Sequence, residues 1–209
     1  MENTEKNPQQ TMMPFDFAKD YILEDERVLL RPFVSSDIDH LMTFAVNEPE
    51  IWKFSLIQAG SADKMKKYLD MALEAKANKK EYPFIVFDKK TQKYAGSTRF
   101  YDIQPDYQAL QLGYTWYGKE FQGTGLNKHC KFLLLRFAFE EMGMVRVEFR
   151  ADNNNQKSIA AMKSIGCVEE GVLRQNVPNS DGTRRNSIVL SVLKSEWEGG
   201  VKENLSKRL

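Results

Sequence analysis

Leu110-Gln111-Leu112-Gly113-Tyr114-Thr115-Trp116-Tyr117-Gly118-Lys119-Glu120-Phe121-Gln122-Gly123-Thr124-Gly125-Leu126-Asn127 begins as an aromatic strand with a glycine inside it and ends in a Gln-Gly-Thr-Gly turn. Beyond the turn, Leu126, Cys130, Leu133, Leu134 and Phe137 recur at near-helical spacing, which predicts an amphipathic helix. A strand, a glycine turn and a helix N-terminus together make an anion site. Gly123 and Gly125 let backbone N–H groups crowd inward, and the helix end adds partial positive charge. The guest that suits such a site is a phosphate. The same turn also reads as nothing more than a tight connection. Two nucleotide motifs are excluded, because Gly123 to Lys128 has neither the third glycine of a dinucleotide fingerprint nor the Gly-Lys-Ser/Thr ending of a P-loop.

Working outward towards the N-terminus, Tyr82 to Phe87 and Lys93 to Tyr101 are strand-like runs joined by Asp88-Lys89-Lys90-Thr91-Gln92, which predicts an antiparallel hairpin feeding the central strand from Ala109. Arg27 to Phe33 reads as a strand that Pro32 confines to an edge or terminates. Ser35, Ser36 and Asp37 then offer N-caps for a helix through Val46, and a second helix runs from Ala62 to Ala77. The loop between them carries Trp52, Phe54 and Ile57, which either pack in the core or wall a substrate cleft. On the other side, Val145 to Arg150 alternates as a strand, and the strand–helix–strand connection makes it parallel to the central one. Asp152-Asn153-Asn154-Asn155 opens a short helix closed by Gly166. Val168 to Arg174 and Thr183 to Leu193 form a last hairpin about Asn179-Ser180-Asp181-Gly182, followed by a tail containing Trp197. The sum is an α/β fold, a mixed and mostly antiparallel sheet with helices on both faces and one parallel pair.

A chain of 209 residues supports one well-buried domain, expected over residues 21–209, preceded by an arm over 1–20. Residues up to about Met13 have the composition of a disordered segment. Phe15, Phe17, Tyr21 and Ile22 offer anchors by which the arm docks on the domain or on a second copy, as in a homodimer. A net charge of +1 leaves no electrostatic case for nucleic acid or an anionic membrane, and no apolar run approaches the roughly 20 residues of a membrane span. Cys130 and Cys167 have no CxxC partner and read as reduced core thiols, which suits the cytoplasm. The histidines, His40 and His129, stand in no spacing that assembles metal ligands, so no metal is expected.

Taken in order, Leu112-Gly113-Tyr114, Gln122-Gly123-Thr124-Gly125, then Asp152, Asn155 and Ser158 ahead of Ile165 to Gly171 resemble a GNAT-fold N-acetyltransferase of the RimJ/RimL type. Arg27-Val28-Leu29-Leu30-Arg31-Pro32 resembles that group's opening strand and Asp181 to Arg185 its closing hairpin, so the likeness runs from about Arg27 to Trp197. The resemblance implies the GNAT fold and acetyl-CoA as donor, its pyrophosphate on the amides around Gln122, Gly123, Thr124, Gly125, Leu126 and Asn127. By the same analogy pantetheine bonds Tyr114, Thr115 and Trp116 like an added strand. A backbone N–H there faces the thioester oxyanion. Asn155 matches the family's pantetheine ligand and is equally a helix cap. Lys119, Lys128 and Lys131 either reach phosphates or are solvated.

The implied reaction needs a neutral amine, so a proton must leave an ammonium group. Many members of the family place Glu where this chain has Gln111, and an amide is no base. Glu148 on the neighbouring strand is the substitute candidate, alongside a carboxylate acting through water or an α-amine needing little help. Ser158 and Tyr101 are the candidate donors to the departing thiolate. The implied acceptor is a protein N-terminal amine. The alternatives are a small-molecule amine, such as an amino sugar, polyamine or amino acid, and a CoA-binding module without turnover. A nicotinamide or nucleotide-phosphate enzyme is disfavoured for want of an acidic ribose partner in a repeated βαβ frame. An acidic pocket around Glu120, Asp102 or Asp106 would favour a polycation.

Overall fold

The computed structural model describes residues 15–179 and 181–209. The polar part of the expected arm and Ser180 of the expected turn lie outside the described residues. Eight strands form one sheet in the order β1-β2-β3-β4-β5-β6-β8-β7. They are β1 (Leu23–Glu24), β2 (Val28–Pro32), β3 (Glu81–Asp88), β4 (Lys93–Gln104), β5 (Ala109–Tyr117), β6 (Arg146–Asp152), β7 (Val168–Pro178) and β8 (Arg184–Leu193). All neighbours are antiparallel except β5 and β6. The expected mixed sheet with a single parallel pair is therefore present, and the hairpin over Asp88 to Gln92 is the β3–β4 connection.

Four main helices cover the sheet: α1 (Ile38–Asn47), α2 (Ala62–Ala77), α3 (Leu126–Arg136) and α4 (Gln156–Ser164). Their starts follow from capping chemistry. Ser61 accepts from the Lys64 N–H at 3.4 Å at the head of α2, and Asn155 accepts from the Ser158 N–H at 3.1 Å at the head of α4. The start of α1 differs from the expectation of a simple cap. Asp37 turns back to the Val34 N–H at 2.9 Å and pairs with Arg31 across β2 at 2.6 Å, so a 3-10 turn over Ser35–Asp37 precedes the helix.

Alternation along β4 divides the core. Thr98 and Phe100 face α3, where Phe100 lies 6.3 Å from the ring of Phe137 and 5.7 Å from that of Phe84. Ser97 faces α2 and bonds Tyr68 at 3.0 Å. Phe15 and Tyr21 pack on Phe137 and Tyr82, closing the α3 side. Helix α3 itself is buried on nearly every side, because Trp197 of the C-terminal tail covers Phe132 from outside. No described helix is long and apolar enough to cross a membrane.

Candidate active site

Strands β5 and β6 are paired only at Ala109↔Arg146, Leu110↔Val147 and Gln111↔Glu148, although both continue well beyond. They part after Gln111, and the parted segment of β5 also carries an extra residue. Arg99 of β4 faces Gly113 and Ser97 faces Trp116, so three steps on β5 oppose two on β4. The bulge places Tyr114 at φ +48, a left-handed conformation that a bulky side chain adopts only when its surroundings over-determine it. Those surroundings are visible. The Tyr114 ring lies over the Arg99 guanidinium at 4.3 Å, and Arg99 is itself buried and paired with Glu81 at 2.5 Å. Next along, the Thr115 hydroxyl is 2.8 Å from that of Thr98 and accepts from Lys131 Nζ at 2.6 Å.

Lys131 therefore does not reach phosphates, nor is it solvated. It points into the sheet beneath the bulge, where burial lowers its pKa from 10.5 to about 8. Lys119 is tied to Glu50, while Lys128 stays half-exposed at the start of α3.

At the end of β5 the glycine turn lies on the surface. Gly123 (φ +76) and Gly125 (φ +90) need the left-handed backbone, and a Cβ built on either meets nothing within 4 Å. Packing does not demand these glycines; the backbone conformation and the open space in front of it do. Among the described residues the N–H groups of Gly123, Thr124, Gly125 and Asn127 make no hydrogen bond, and that of Leu126 has only a long 3.5 Å contact to the Thr124 hydroxyl. Gln122 differs, since its N–H is engaged by the Lys119 carbonyl at 3.2 Å. Its side chain takes another part, accepting from Lys157 of α4 at 2.5 Å and so tying the turn to the neighbouring helix.

Between the parted strands lies a cavity of about 390 Å³. One wall brings together Tyr101, Tyr114, Thr115, Trp116, Asn155 and Ser158, all named from the sequence. Asn155 uses its Oδ1 on the helix cap, leaving its NH₂ without a described protein partner, so capping and ligand binding do not compete. The Ser158 hydroxyl is likewise uncommitted among the described residues. Tyr101 lies across Gly113, where a Cβ would stand 2.9 Å from its Cε1, and burial pushes its phenol well above the ordinary range. The lining also includes Trp52, Phe54 and Ile57, together with Asn176, Val177, Arg185 and Ser187 of the β7–β8 hairpin. Trp52 is both core and wall: it is 1 % exposed and packs on Trp116 at 5.0 Å.

Glu148 is not brought into this lining. Arg146 holds one of its carboxylate oxygens at 2.8 Å and Arg150 the other at 2.7 Å. Gln111 does line the cavity and donates to Asp102 at 2.7 Å. Of the expected acidic group only Asp102 is there; Glu120 pairs with Lys93 at 3.1 Å and Asp106 is outside the lining. The charged side chains of the wall are Asp102, Asp152, Arg150 and Arg185, two of each sign, so no acidic pocket for a polycation forms. Asp152 and Arg185 were not singled out for this place by the sequence, where one read as a cap and the other as part of a hairpin.

His129 does meet carboxylates, across 104 residues of chain. Its Nδ1 is 2.8 Å from Asp25 Oδ2, and with Glu26 the three ligand atoms lie within 4.8 Å of one another. The other Asp25 oxygen accepts from the N–H groups of Arg27 and Val28, which makes the aspartate the organiser of the β1–β2 turn.

The chain matches the model of the Acetyltransferase (GNAT) domain over residues 27–168. It is 34 % identical over 104 residues to a candidate ribosomal N-acetyltransferase, YdaF of Bacillus subtilis (strain 168), a match spanning 50 % of this chain and 56 % of that one. An uncharacterised N-acetyltransferase, p20 of Bacillus licheniformis, is 26 % identical over 85 % of this chain and 98 % of its own. Among solved structures, a candidate acetyltransferase from T. thermophilus is similar with a TM-score of 0.82 at 32 % identity, covering 95 % of this chain and all (100 %) of the other. A ribosomal-protein-S5-alanine acetyltransferase from Vibrio fischeri shares the fold at 21 % identity, with a TM-score of 0.69 over 85 % of this chain and 99 % of its own.

Proposed function

The chain belongs to the GNAT acetyltransferase family, and we propose that it transfers the acetyl group of acetyl-CoA to a primary amine in the cytoplasm, with a protein N-terminal α-amine as the leading acceptor. The observation that carries the donor is the row of uncommitted amides at Gly123, Thr124, Gly125 and Asn127. Donors left open at a helix N-terminus, behind glycines with free space in front of them, fit a diphosphate. Beyond them the unpaired edge of β5 over Tyr114–Trp116 and the free NH₂ of Asn155 suit the amide groups of a pantetheine arm.

Acetyl-CoA supplies an activated acyl group as a thioester; the protein's part is to orient it and manage protons. The bulge at Tyr114, held by Arg99 on the α2 face and by Lys131 through Thr115 on the α3 face, fixes the direction of the β5 amides towards a developing oxyanion. Ser158 and Tyr101 line the cavity as hydrogen-bond donors to the departing thiolate, which takes its proton from solvent; Tyr101 stays a neutral phenol at any working pH because burial raises its pKa. With Gln111 unable to act as a base and Glu148 held by two arginines, proton acceptance falls to the carboxylates in the wall, Asp102 and Asp152. An α-amine, with a pKa of about 8, needs little assistance. A relative that is 34 % identical over half of this chain is named as a ribosomal N-acetyltransferase, which supports a protein amine as acceptor.

Melting the protein with acetyl-CoA, NAD and ATP in parallel, and following thiol release over a panel of amines and peptides, tests the proposal. A rise in melting temperature with acetyl-CoA alone, and amine-dependent thiol release, are expected. Stabilisation without release from any acceptor would point to a CoA-binding module, and no preference for acetyl-CoA would overturn the reading of the turn.

A further inference from the structure

Among the described residues two arginines are buried, and they are not treated alike. Arg99 has its carboxylate, Glu81, at 2.5 Å. Arg185, 7 % exposed on β8, forms no ion pair with any described residue. Its Nε donates to Ser187 Oγ at 3.0 Å and one Nη to the Phe54 carbonyl at 3.4 Å. Arg185 lines the cavity, and those neutral bonds leave its other Nη without a described partner. A desolvated guanidinium without a counter-ion is costly, and the cost shows as a depressed pKa, to which the like charge of Arg150 contributes and which Asp152 and Tyr101 oppose. An anion entering the cavity would relieve it.

The register supplies a complementary charge. Asp152 of β6 faces Ser187 of β8, and Arg185 is two residues from Ser187 on the same face of the strand. Asp152 is 7 % exposed; one of its oxygens accepts from the Asn154 N–H at 2.8 Å, and the other has no described partner. A carboxylate and a guanidinium thus line one cavity side by side, each with hydrogen-bonding capacity left over. Arg150, which bonds Glu148, adds positive charge on the same wall.

We propose that the acceptor is an amine carrying a carboxylate a few bonds from its nitrogen, bound with that carboxylate on Arg185 and its ammonium group beside Asp152. This rests on the transferase reading and narrows it. A free amino acid and a peptide with an acidic N-terminal residue share the chemistry, and matched substrates separate them.

The test compares kcat/KM, corrected for the fraction of neutral amine, between free amino acids and their amides, and between peptides beginning with Asp or Glu and those beginning with Asn or Gln. The wild-type protein is expected to favour the carboxylate member of one series by about tenfold to a hundredfold, the range of a charge-assisted pair. Arg185→Met should bring that ratio towards one, and Arg185→Lys should recover part of it, retaining the charge without the fork. Equal rates for both members in the wild type, or an unchanged ratio in Arg185→Met, would overturn the proposal. A binding measurement covers the case of poor turnover: in the presence of CoA, an N-acetyl amino acid should raise the melting temperature more than its amide does, and only with Arg185 intact. An equal rise from both would also overturn it. Acetyl-CoA protection alone reads the transferase proposal separately, since it involves no acceptor.

Discussion

Replacing Gly125 by valine separates what the glycine does for the fold from what it does for a ligand. Gly125 sits at φ +90 at the head of α3, and a Cβ added there meets nothing within 4 Å. No steric collision with the protein is therefore introduced. The cost to folding is the left-handed backbone, about 1–2 kcal/mol for an L-residue, which for a domain of this size lowers the melting temperature by about 2–8 °C. The cost to binding is larger, because the branched side chain occupies the space through which the free amides of Gly123, Thr124 and Gly125 are reached. Each amide bond to a charged phosphate is worth about 1.5–3 kcal/mol, so losing two weakens acetyl-CoA binding by about a hundredfold or more. Gly182 in the β7–β8 turn is the control: it has φ +85 and equally open surroundings. Gly182→Val should carry a similar stability penalty with undiminished affinity. Calorimetric titration of both variants with acetyl-CoA, alongside melting curves, reads the two effects apart. Affinity in Gly125→Val within about threefold of the wild type would refute the cradle, since a blocked approach cannot cost less than one charge-assisted bond.

That turn was legible in the sequence because everything it needs is local. Glycines at 123 and 125, an aromatic strand before them and a helical apolar pattern after them specify strand, left-handed turn and helix start within a few residues. The same locality made α2 readable to both its ends, Ala62 and Ala77. Most of what escaped depends on distant chain. Lys131 looks like a solvated lysine on an amphipathic helix, but Trp197, 66 positions later by residue number, covers the outer side of α3 and the sheet covers the inner. No helical periodicity reports a face buried by a tail. Glu148 was assigned to the right strand with the right alternation. Its two carboxylate oxygens are held by Arg146 and Arg150 on the same face two residues either side, a pairing that alternation alone does not report. Conversely Arg185 reaches the cavity only because β8 inserts between β6 and β7. A hairpin motif in sequence says that two strands pair, not which third strand they lie beside.

Asn155→Asp and Asn155→Ala divide the two roles of that side chain: aspartate keeps the cap but lacks the NH₂, so stability holds while acetyl-CoA affinity falls, whereas alanine also loses about 1 kcal/mol of stability. Equal affinity for wild type and Asn155→Asp would show that the cap is the only role. Gly113→Ala would force the Tyr101 ring away from its place across the strand, since its Cε1 would be 2.9 Å from the new Cβ. Thiol release should fall while the protein stays folded, and unchanged turnover would remove Tyr101 from the chemistry. Lys131 runs against the usual expectation that removing a buried contact destabilises. Its folded pKa of about 8 lies below its ordinary 10.5, so above pH 8 the unfolded chain binds a proton that the folded one has released. Stability therefore rises with pH through that window, the penalty of about 3 kcal/mol being fully present below pH 8. Cys130 and Cys167 act in the opposite sense. Burial pushes both thiols from 9.0 up to about 12, so the folded state keeps protons that the unfolded thiols lose, and stability falls again above pH 9. Urea unfolding from pH 7 to 9 should show the wild-type rise, and Lys131→Met should abolish it while gaining about 1–3 kcal/mol at pH 7. The hydroxyls of Thr98 and Thr115, 2.8 Å apart, continue to bond each other once the ammonium is gone, so no polar group is stranded. A variant less stable than the wild type at pH 7 would mean that the ammonium is held by more than two threonines, and that the clamp beneath the Tyr114 bulge depends on its charge.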